Sequence, residues 1–502
     1  MVTASIYFSV GVLVACLVVI FTYFKWTFKY WERRELPSVK PSIPFGTIGD
    51  IVLAKRNFGE ILKEQYEESK RKGLKHVGLF MMVKPTYMPI DLEYVKNILS
   101  KDFSHFMDRG FYYNEKDDPL SANVFMLEGT KWKNLRAKLT PTFSSGKMKM
   151  MFHIMLECGK HLTDALDDTC DAGEPVDIRE FLERFSTDVI GSCAFGIDCN
   201  SFKDRESNFV KFVKRASQYT KWETLKAMSA YANQEIARKL GICIIPIDVA
   251  TFFSTIVRET VEYREKNDER RSDFLQILID MKNNVDVAHQ QLTINELAAQ
   301  SYIFFLAGFE TSSTTMGFCL YELARNQEMQ DKVRSEINLV LEGHNGELSY
   351  DAIKDMKYMK QVIDETLRKY PAVPFLNRVC LTDYKIPDSN LMLEKGTPII
   401  IPVYGIQHDP AYFPEPDKFD PERFSEENKK KIKPFAYMPF GEGPRLCIGL
   451  RFGVMQTGIG LASLLRKFRF SLNKKTSHPL RISPYHFLLS SLDDIWLNVE
   501  KI

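Results

Sequence analysis

Near the C-terminal end of the chain, Phe440-Gly441-Glu442-Gly443-Pro444-Arg445-Leu446-Cys447-Ile448-Gly449 frames one cysteine with glycines, a proline and an arginine. The glycines and the proline permit a tight loop whose backbone amides approach the sulfur closely. A helical pattern runs from Ile448 to about Lys467, which puts Cys447 just ahead of a helix N-terminus. The positive end of a helix dipole and nearby N–H donors favour thiolate over thiol. Arg445 is placed to hold a carboxylate by charge-assisted hydrogen bonds. A lone cysteine is by default a small buried hydrophobe. No second Cys or His stands at zinc-ligand spacing, and the glycines do not follow the dinucleotide pattern G-x-G-x-x-G.

A second chemical segment is Ala307-Gly308-Phe309-Glu310-Thr311-Ser312, in the middle of a helical pattern from about Ile294 to Arg325. Thr293 and Glu296 form a capping box at its start. Glycine inside a helix costs about 1 kcal/mol relative to alanine, so Gly308 needs a reason. Space beside Ala307 and Gly308 for a small ligand would supply one. Thr311, four residues after Ala307, can bond that residue's carbonyl and loosen the helix. A hydroxyl beside a carboxylate, Thr311 with Glu310, is suited to passing protons.

Three further signatures are weaker singly. Glu365-Thr366-Leu367-Arg368 places Glu365 and Arg368 on one helix face, late in a helix that begins near Lys357 and is stopped by Pro371. Pro421-Glu422-Arg423-Phe424 offers a second arginine, Arg423, to the same carboxylate. In Trp132-Lys133-Asn134-Leu135-Arg136 the indole of Trp132 and the guanidinium of Arg136 share a helix face.

Together these strings resemble the cytochrome P-450 superfamily. The cysteine loop meets its F-x-x-G-x-R-x-C-x-G pattern, and Ala307–Ser312 meets A/G-G-x-D/E-T-T/S at every position. W-x-x-x-R ahead of that segment, and E-x-x-R and P-E-R-F between it and the cysteine loop, stand in the expected order, so the resemblance covers roughly residues 37–502. Within the superfamily, Trp132–Phe152 and Met438–Phe468 look like the insect microsomal family (family 6 type) known chiefly for detoxifying foreign compounds, insecticides included. The resemblance implies haem b (iron protoporphyrin IX) with Cys447 as its axial iron ligand. Arg445, Trp132, Arg136 and Arg378 would contact the haem and its propionates, with Arg109 a further candidate. Phe440, Gly441, Ala307 and Gly308 would border the haem. Glu310 and Thr311 would deliver protons during oxygen activation. Glu365, Arg368 and Arg423 would be structural, holding the layer beneath the cysteine loop.

The implied reaction is an NADPH-reductase-dependent, unspecific monooxygenation that inserts one atom from O2 into a hydrophobic small molecule. Plant toxins and insecticides are the expected substrates, with endogenous lipids or hormones also in range. The chain carries no dinucleotide fingerprint, so electrons must come from outside: a flavoprotein reductase using NADPH, or cytochrome b5. Lys131, Lys133, Lys138, Lys147 and Lys149 offer a basic docking patch. Phe111, Tyr112, Phe125, Phe304, Ala307, Val373, Phe375 and Leu488 flank the motifs and are the expected substrate-pocket residues. A haem-thiolate isomerase or dehydratase, which needs no O2, tends to lack the acid–threonine pair present here. A non-enzymatic haem sensor or electron carrier would need neither the oxygen-activating helix nor an apolar pocket.

Which elements must position these groups? The 502 residues are 45% hydrophobic and 26% charged, an ordinary globular balance, and a net charge of +2 gives no pull toward nucleic acid. The nine cysteines show no repeating spacing, which excludes a disulfide framework and fits a reducing compartment. Most of the body has helical periodicity, as in residues 60–71, 148–165, 177–192 and 255–267. Strand-like runs are fewer, His76–Val83 and Tyr384–Tyr404, the latter with a turn at Pro387–Asn390. The expected fold is mainly α with small β-sheets (α+β), one large domain behind an N-terminal transmembrane anchor.

Residues 6–24 are almost wholly apolar, and no charge occurs before Lys25. Nineteen helical residues span about 28 Å, close to a bilayer's hydrocarbon thickness. Lys25, Lys29, Arg33 and Arg34 follow the apolar run, which places the body in the cytosol; the resemblance to a microsomal family implies the endoplasmic reticulum membrane. The expected divisions are an anchor over 1–25, a basic and proline-rich connector over 26–44 and the haem-binding domain over 45–502.

Overall fold

The computed structural model describes residues 2–171, 173–218, 220–283 and 292–502. Helix Val2–Thr27 stands apart from the body. A stretch beginning at Ile6 is long and apolar enough to cross a membrane, with a mean hydropathy of 2.4 in its most apolar window and none of that window buried. The chain then docks: Trp31 is buried, and its indole N–H donates to the Leu79 carbonyl at 2.9 Å. Tyr30 donates to Glu394 at 2.9 Å, and Arg34 pairs with the same carboxylate. The connector is therefore held against the body.

Helices dominate the body. The longest, Ile294–Arg325, starts where the capping box predicts: Thr293 accepts from the Glu296 amide at 3.2 Å, and Glu296 accepts from the Thr293 amide at 2.7 Å. It runs through the middle of the larger core and packs on helices Ile178–Ile190, Ile247–Asn267 and Leu450–Lys467. A second core lies around a four-stranded sheet ordered His76–Met81, Lys84–Pro89, Pro398–Ile401, Leu376–Val379. The first and last pairs are antiparallel, and the central pair is parallel with Tyr87 opposite Ile399. Two smaller sheets complete the fold, which is mainly α with small β-sheets.

The strand expected over His76–Val83 ends at Met81. Met82 and Val83 form a two-residue turn, with Met82 at φ 56°, and the chain returns as Lys84–Pro89. The run Tyr384–Tyr404 also divides. Tyr384–Lys385 and Met392–Leu393 pair around the expected turn, whereas Pro398–Ile401 joins the larger sheet. Alternation of apolar residues marks a strand but does not say which sheet it joins.

Candidate active site

The cysteine loop is built on backbone conformations that favour glycine. Gly441 and Gly443 have φ of +76° and +74°, and a Cβ on Gly443 would lie 1.9 Å from the Leu99 carbonyl oxygen. Gly443–Arg445 makes a single 3-10 turn, and the Cys447 amide donates to the Phe440 carbonyl at 2.9 Å. Helix Leu450–Lys467 follows, so Cys447 precedes a helix N-terminus as expected. Cys447 is the one exposed cysteine outside the N-terminal helix, and its sulfur opens into a cavity. Enclosure by the protein raises the thiol's pKa, while the Gly449 amide, Arg109 and Arg136 lower it.

That cavity has about 1660 Å³ of atom-free space, its open mouth included. Phe440, Gly441, Arg445 and Cys447 line it from the loop, and Phe304, Ala307, Gly308 and Thr311 from the long helix. Phe111, Phe125, Val373 and Phe375 also line it, as do Arg109, Arg136 and Arg378. The aromatic groups pack on one another: Phe111 stacks on Phe125 at 5.4 Å between centroids, and Phe375 meets Phe487 at 4.8 Å.

Four arginines gather at this cavity with little to neutralise them. Arg445 is 2% exposed; its Nε donates to the Met107 carbonyl and one Nη to that of Leu127, both at 2.9 Å. Its nearest carboxylate is Asp108, 3.4 Å away, and its other Nη has no hydrogen-bond partner. Arg378 is equally buried, donates one Nη to the Asn377 carbonyl at 2.8 Å, and leaves its Nε unpartnered. Arg109 spans the carbonyls of Phe125 and Arg445, and Arg136 donates to that of Leu446 at 2.8 Å. Burial and mutual repulsion hold Arg109 down at about 10 and Arg445 at about 9, and Arg378 well below its ordinary value. Buried cations with unpartnered N–H groups call for a polyanion. A haem with two propionates, facing a cysteine sulfur in the same cavity, fits that donor set.

The long helix brings its own chemistry. Thr311 donates to the Ala307 carbonyl at 2.5 Å, as its spacing predicts, and Thr315 repeats the pattern onto Thr311 at 2.7 Å. Glu310 is not among the lining residues. Its Oε1 lies 3.4 Å from His486 Nδ1 on the C-terminal loop. Gly308 does line the cavity, but the space it keeps is needed by a neighbouring helix: a Cβ there would lie 2.6 Å from Ile190 Cδ1.

Beneath the loop, Glu365 and Arg368 are fully buried and joined by two hydrogen bonds of 2.9 and 2.7 Å. Arg423 approaches Glu365 to 3.6 Å. Arg368 also donates to the Gln407 carbonyl at 2.9 Å, and the Gln407 side chain accepts from the Met438 amide at 2.9 Å. Gln407 thus ties the ion pair to the residues entering the cysteine loop. No sequence signal marked it.

All of these residues occur in one chain that matches the family model for cytochrome P450 over residues 37–496. The chain belongs to the cytochrome P450 family. It is 44% identical to cytochrome P450 6A1 of Musca domestica over 99% of this chain and 97% of that one. It is 42% identical to cytochrome P450 6a8 of Drosophila melanogaster over 99% and 100% of the two chains. The family places this protein among the haem-thiolate monooxygenases, whose cofactor is haem b bound through a cysteine thiolate.

Besides Glu310, three expected positions fall outside the P450 cavity. Tyr112 turns away from Phe111; its hydroxyl donates to the Ile242 carbonyl at 2.6 Å, and its ring packs on Ala230 and Ala237. Leu488 yields its place to Phe487, its neighbour in a bend of the C-terminal loop. Trp132 is buried beneath Arg445 and against Phe103. Phe143 and Phe452 line the cavity and were not anticipated, since each reads as an ordinary core residue of its helical pattern. Among the docking lysines, Lys131 is paired with Glu115 and Lys149 with Asp351.

Proposed function

We propose that this P450 is a membrane-anchored, reductase-dependent monooxygenase of apolar foreign compounds, with Cys447 as the axial ligand of its haem. Activation of O2 and insertion of one oxygen atom into a C–H bond are the chemistry that haem supplies when bound. The observation that carries this reading is the convergence on one cavity of the Cys447 sulfur, the Thr311 hydroxyl and four under-neutralised arginines.

The chain's own residues have distinct tasks. Cys447 would give its sulfur to the haem iron; burial raises the thiol's pKa, and the Gly449 amide, Arg109 and Arg136 act against that rise. Arg378 and Arg445 offer their free N–H groups to propionates. Thr311 holds a hydroxyl in the cavity, anchored on the Ala307 carbonyl, and Glu310 stands beside it in sequence as the proton reservoir. Phe111, Phe125, Phe304 and Phe375 exclude water and select apolar substrates.

Helix Val2–Thr27 serves as the anchor, with divisions at 1–25, 26–44 and 45–502. Trp222, Leu225 and Leu240 are 70%, 57% and 71% exposed, and this apolar surface supports contact of the body with lipid. Basic residues after the apolar run support a body that faces the cytosol, and membership of the P450 family supports the endoplasmic reticulum as its membrane. An NADPH-dependent flavoprotein reductase, assisted by cytochrome b5, supplies electrons. Reconstitution of the purified protein with that reductase, NADPH and O2 tests the assignment. Oxygenated product that requires all three supports it; product formed from peroxide substrates without them would make the protein an isomerase.

A further inference from the structure

Glu310 does not line the cavity that Thr311 lines; its carboxylate meets His486 of the C-terminal loop. Any proton it passes to Thr311 must be replaced from its other side. Among the described residues, His486 is its one basic neighbour within 4 Å, with Nδ1 at 3.4 Å from Oε1. The His486 side chain is 33% exposed and that of Glu310 20%, so accessibility rises outward along the pair.

The loop carrying His486 is fastened at both ends. Asn57, fully buried, donates through Nδ2 to the carbonyls of Ser483 at 2.8 Å and of His486 itself at 3.1 Å. Beyond the pair, the Leu489 amide donates to the Ala372 carbonyl at 3.0 Å. Between these ties, Phe487 lines the cavity while His486 faces Glu310. One short loop thus shapes the substrate space and meets the acid of the oxygen-activating helix. A histidine between water and a carboxylate is suited to shuttling protons near neutrality.

We propose that His486 feeds protons from solvent to Glu310, acting through that carboxylate rather than on substrate; this rests on the monooxygenase reading above. In each cycle the neutral imidazole, carrying its proton on Nδ1, takes a proton from water at Nε2 and passes the Nδ1 proton to Oε1 of the Glu310 carboxylate; tautomer exchange through water then restores the Nδ1–H form. No electrons move. The loop then returns to its starting protonation state.

The test compares wild type, His486→Phe, His486→Gln, Glu310→Gln and the His486→Phe/Glu310→Gln double variant, all haem-loaded and driven by reductase and NADPH. Both His486 variants are expected to keep their haem and substrate affinity. They should divert severalfold more NADPH to hydrogen peroxide and show a larger solvent isotope effect on product formation. The double variant should be no worse than Glu310→Gln alone, since the two residues act in series. Glutamine can hydrogen-bond but cannot relay a proton. Wild-type coupling in His486→Gln would therefore overturn the proposal, as would multiplicative losses in the double variant. A readout independent of turnover uses 15N-histidine-labelled protein without substrate or reductase. The ring resonance that vanishes in His486→Gln should shift when Glu310→Gln is introduced, and an unmoved resonance would contradict the contact. Failure of the monooxygenase reading is distinct: wild type itself would then give no NADPH-dependent product.

Discussion

The guanidinium of Arg445 lies against the indole of Trp132, with 3.8 Å from its central carbon to the ring centroid. Trp132 thus acts as a shelf: its π-face holds a buried cation whose remaining N–H group faces the cavity. The W-x-x-x-R spacing suggested two side chains reaching one anion in parallel. The structure adds a stack, Trp132 beneath Arg445, with Arg136 tied to the Leu446 carbonyl. The arginine cluster is therefore costly to the protein without its cofactor and favourable with it.

Arg378→Met separates those two states. Arg378 is buried with an unpartnered Nε beside Arg109 and Arg445, so its removal relieves desolvation and like-charge repulsion. The haem-free protein should be as stable as wild type or more so, by about 1–3 kcal/mol. Haem retention should fall. Thermal unfolding of both forms, with the absorbance of bound haem per mole of protein, checks it.

Thr311→Ala removes the hydroxyl that the Ala307 carbonyl holds in the cavity. Haem content should be unchanged and more NADPH should be spent on peroxide, measured as the ratio of peroxide to product. Coupling equal to wild type would remove Thr311 from the proton path.

Gly308→Ala probes helix packing. The added methyl meets Ile190 Cδ1 at 2.6 Å, and overpacking of this kind costs about 1–3 kcal/mol. Ile190→Val deletes the clashing atom, so the double variant should recover part of the loss in denaturant unfolding. Equal stability of all three proteins would show that the helices do not meet so closely.

His76 sets a pH dependence of folding. Its imidazole is largely enclosed, with Nδ1 3.0 Å from the Tyr87 hydroxyl, and burial pushes its pKa down to about 4 from 6.5. Between those values the unfolded chain takes up a proton that the folded one refuses, so this group's contribution falls as pH drops from about 6.5 to about 4. Asp118 and Asp177, each raised to about 6 by burial, work in the opposite sense. The difference between wild type and His76→Gln isolates the histidine: the gap in stability should change across that window and be flat above it.

The sequence was most legible where a motif and a local rule coincide. Thr293 and Glu296 marked the start of the long helix because a capping box needs nothing beyond four consecutive residues. The Thr311–Ala307 bond followed from helical spacing alone. In the loops, Tyr112 was expected together with its neighbour Phe111, and Leu488 where Phe487 lines the cavity. Which side of a loop faces a cavity is set by distant partners, here Ile242 for Tyr112 and Asn57 for the C-terminal loop. The link through Gln407 was silent for the same reason, since its bonds to Arg368 and Met438 join residues far apart in the chain.

The most direct test is the absorption difference spectrum of the reduced protein with and without carbon monoxide, for wild type and Cys447→Ser. Wild type should give the strongly red-shifted Soret band of thiolate-ligated haem, and the variant should lose that band and nearly all turnover. The same red-shifted band in Cys447→Ser, or a wild-type band typical of histidine ligation, would contradict Cys447 as the axial ligand and the site built around it.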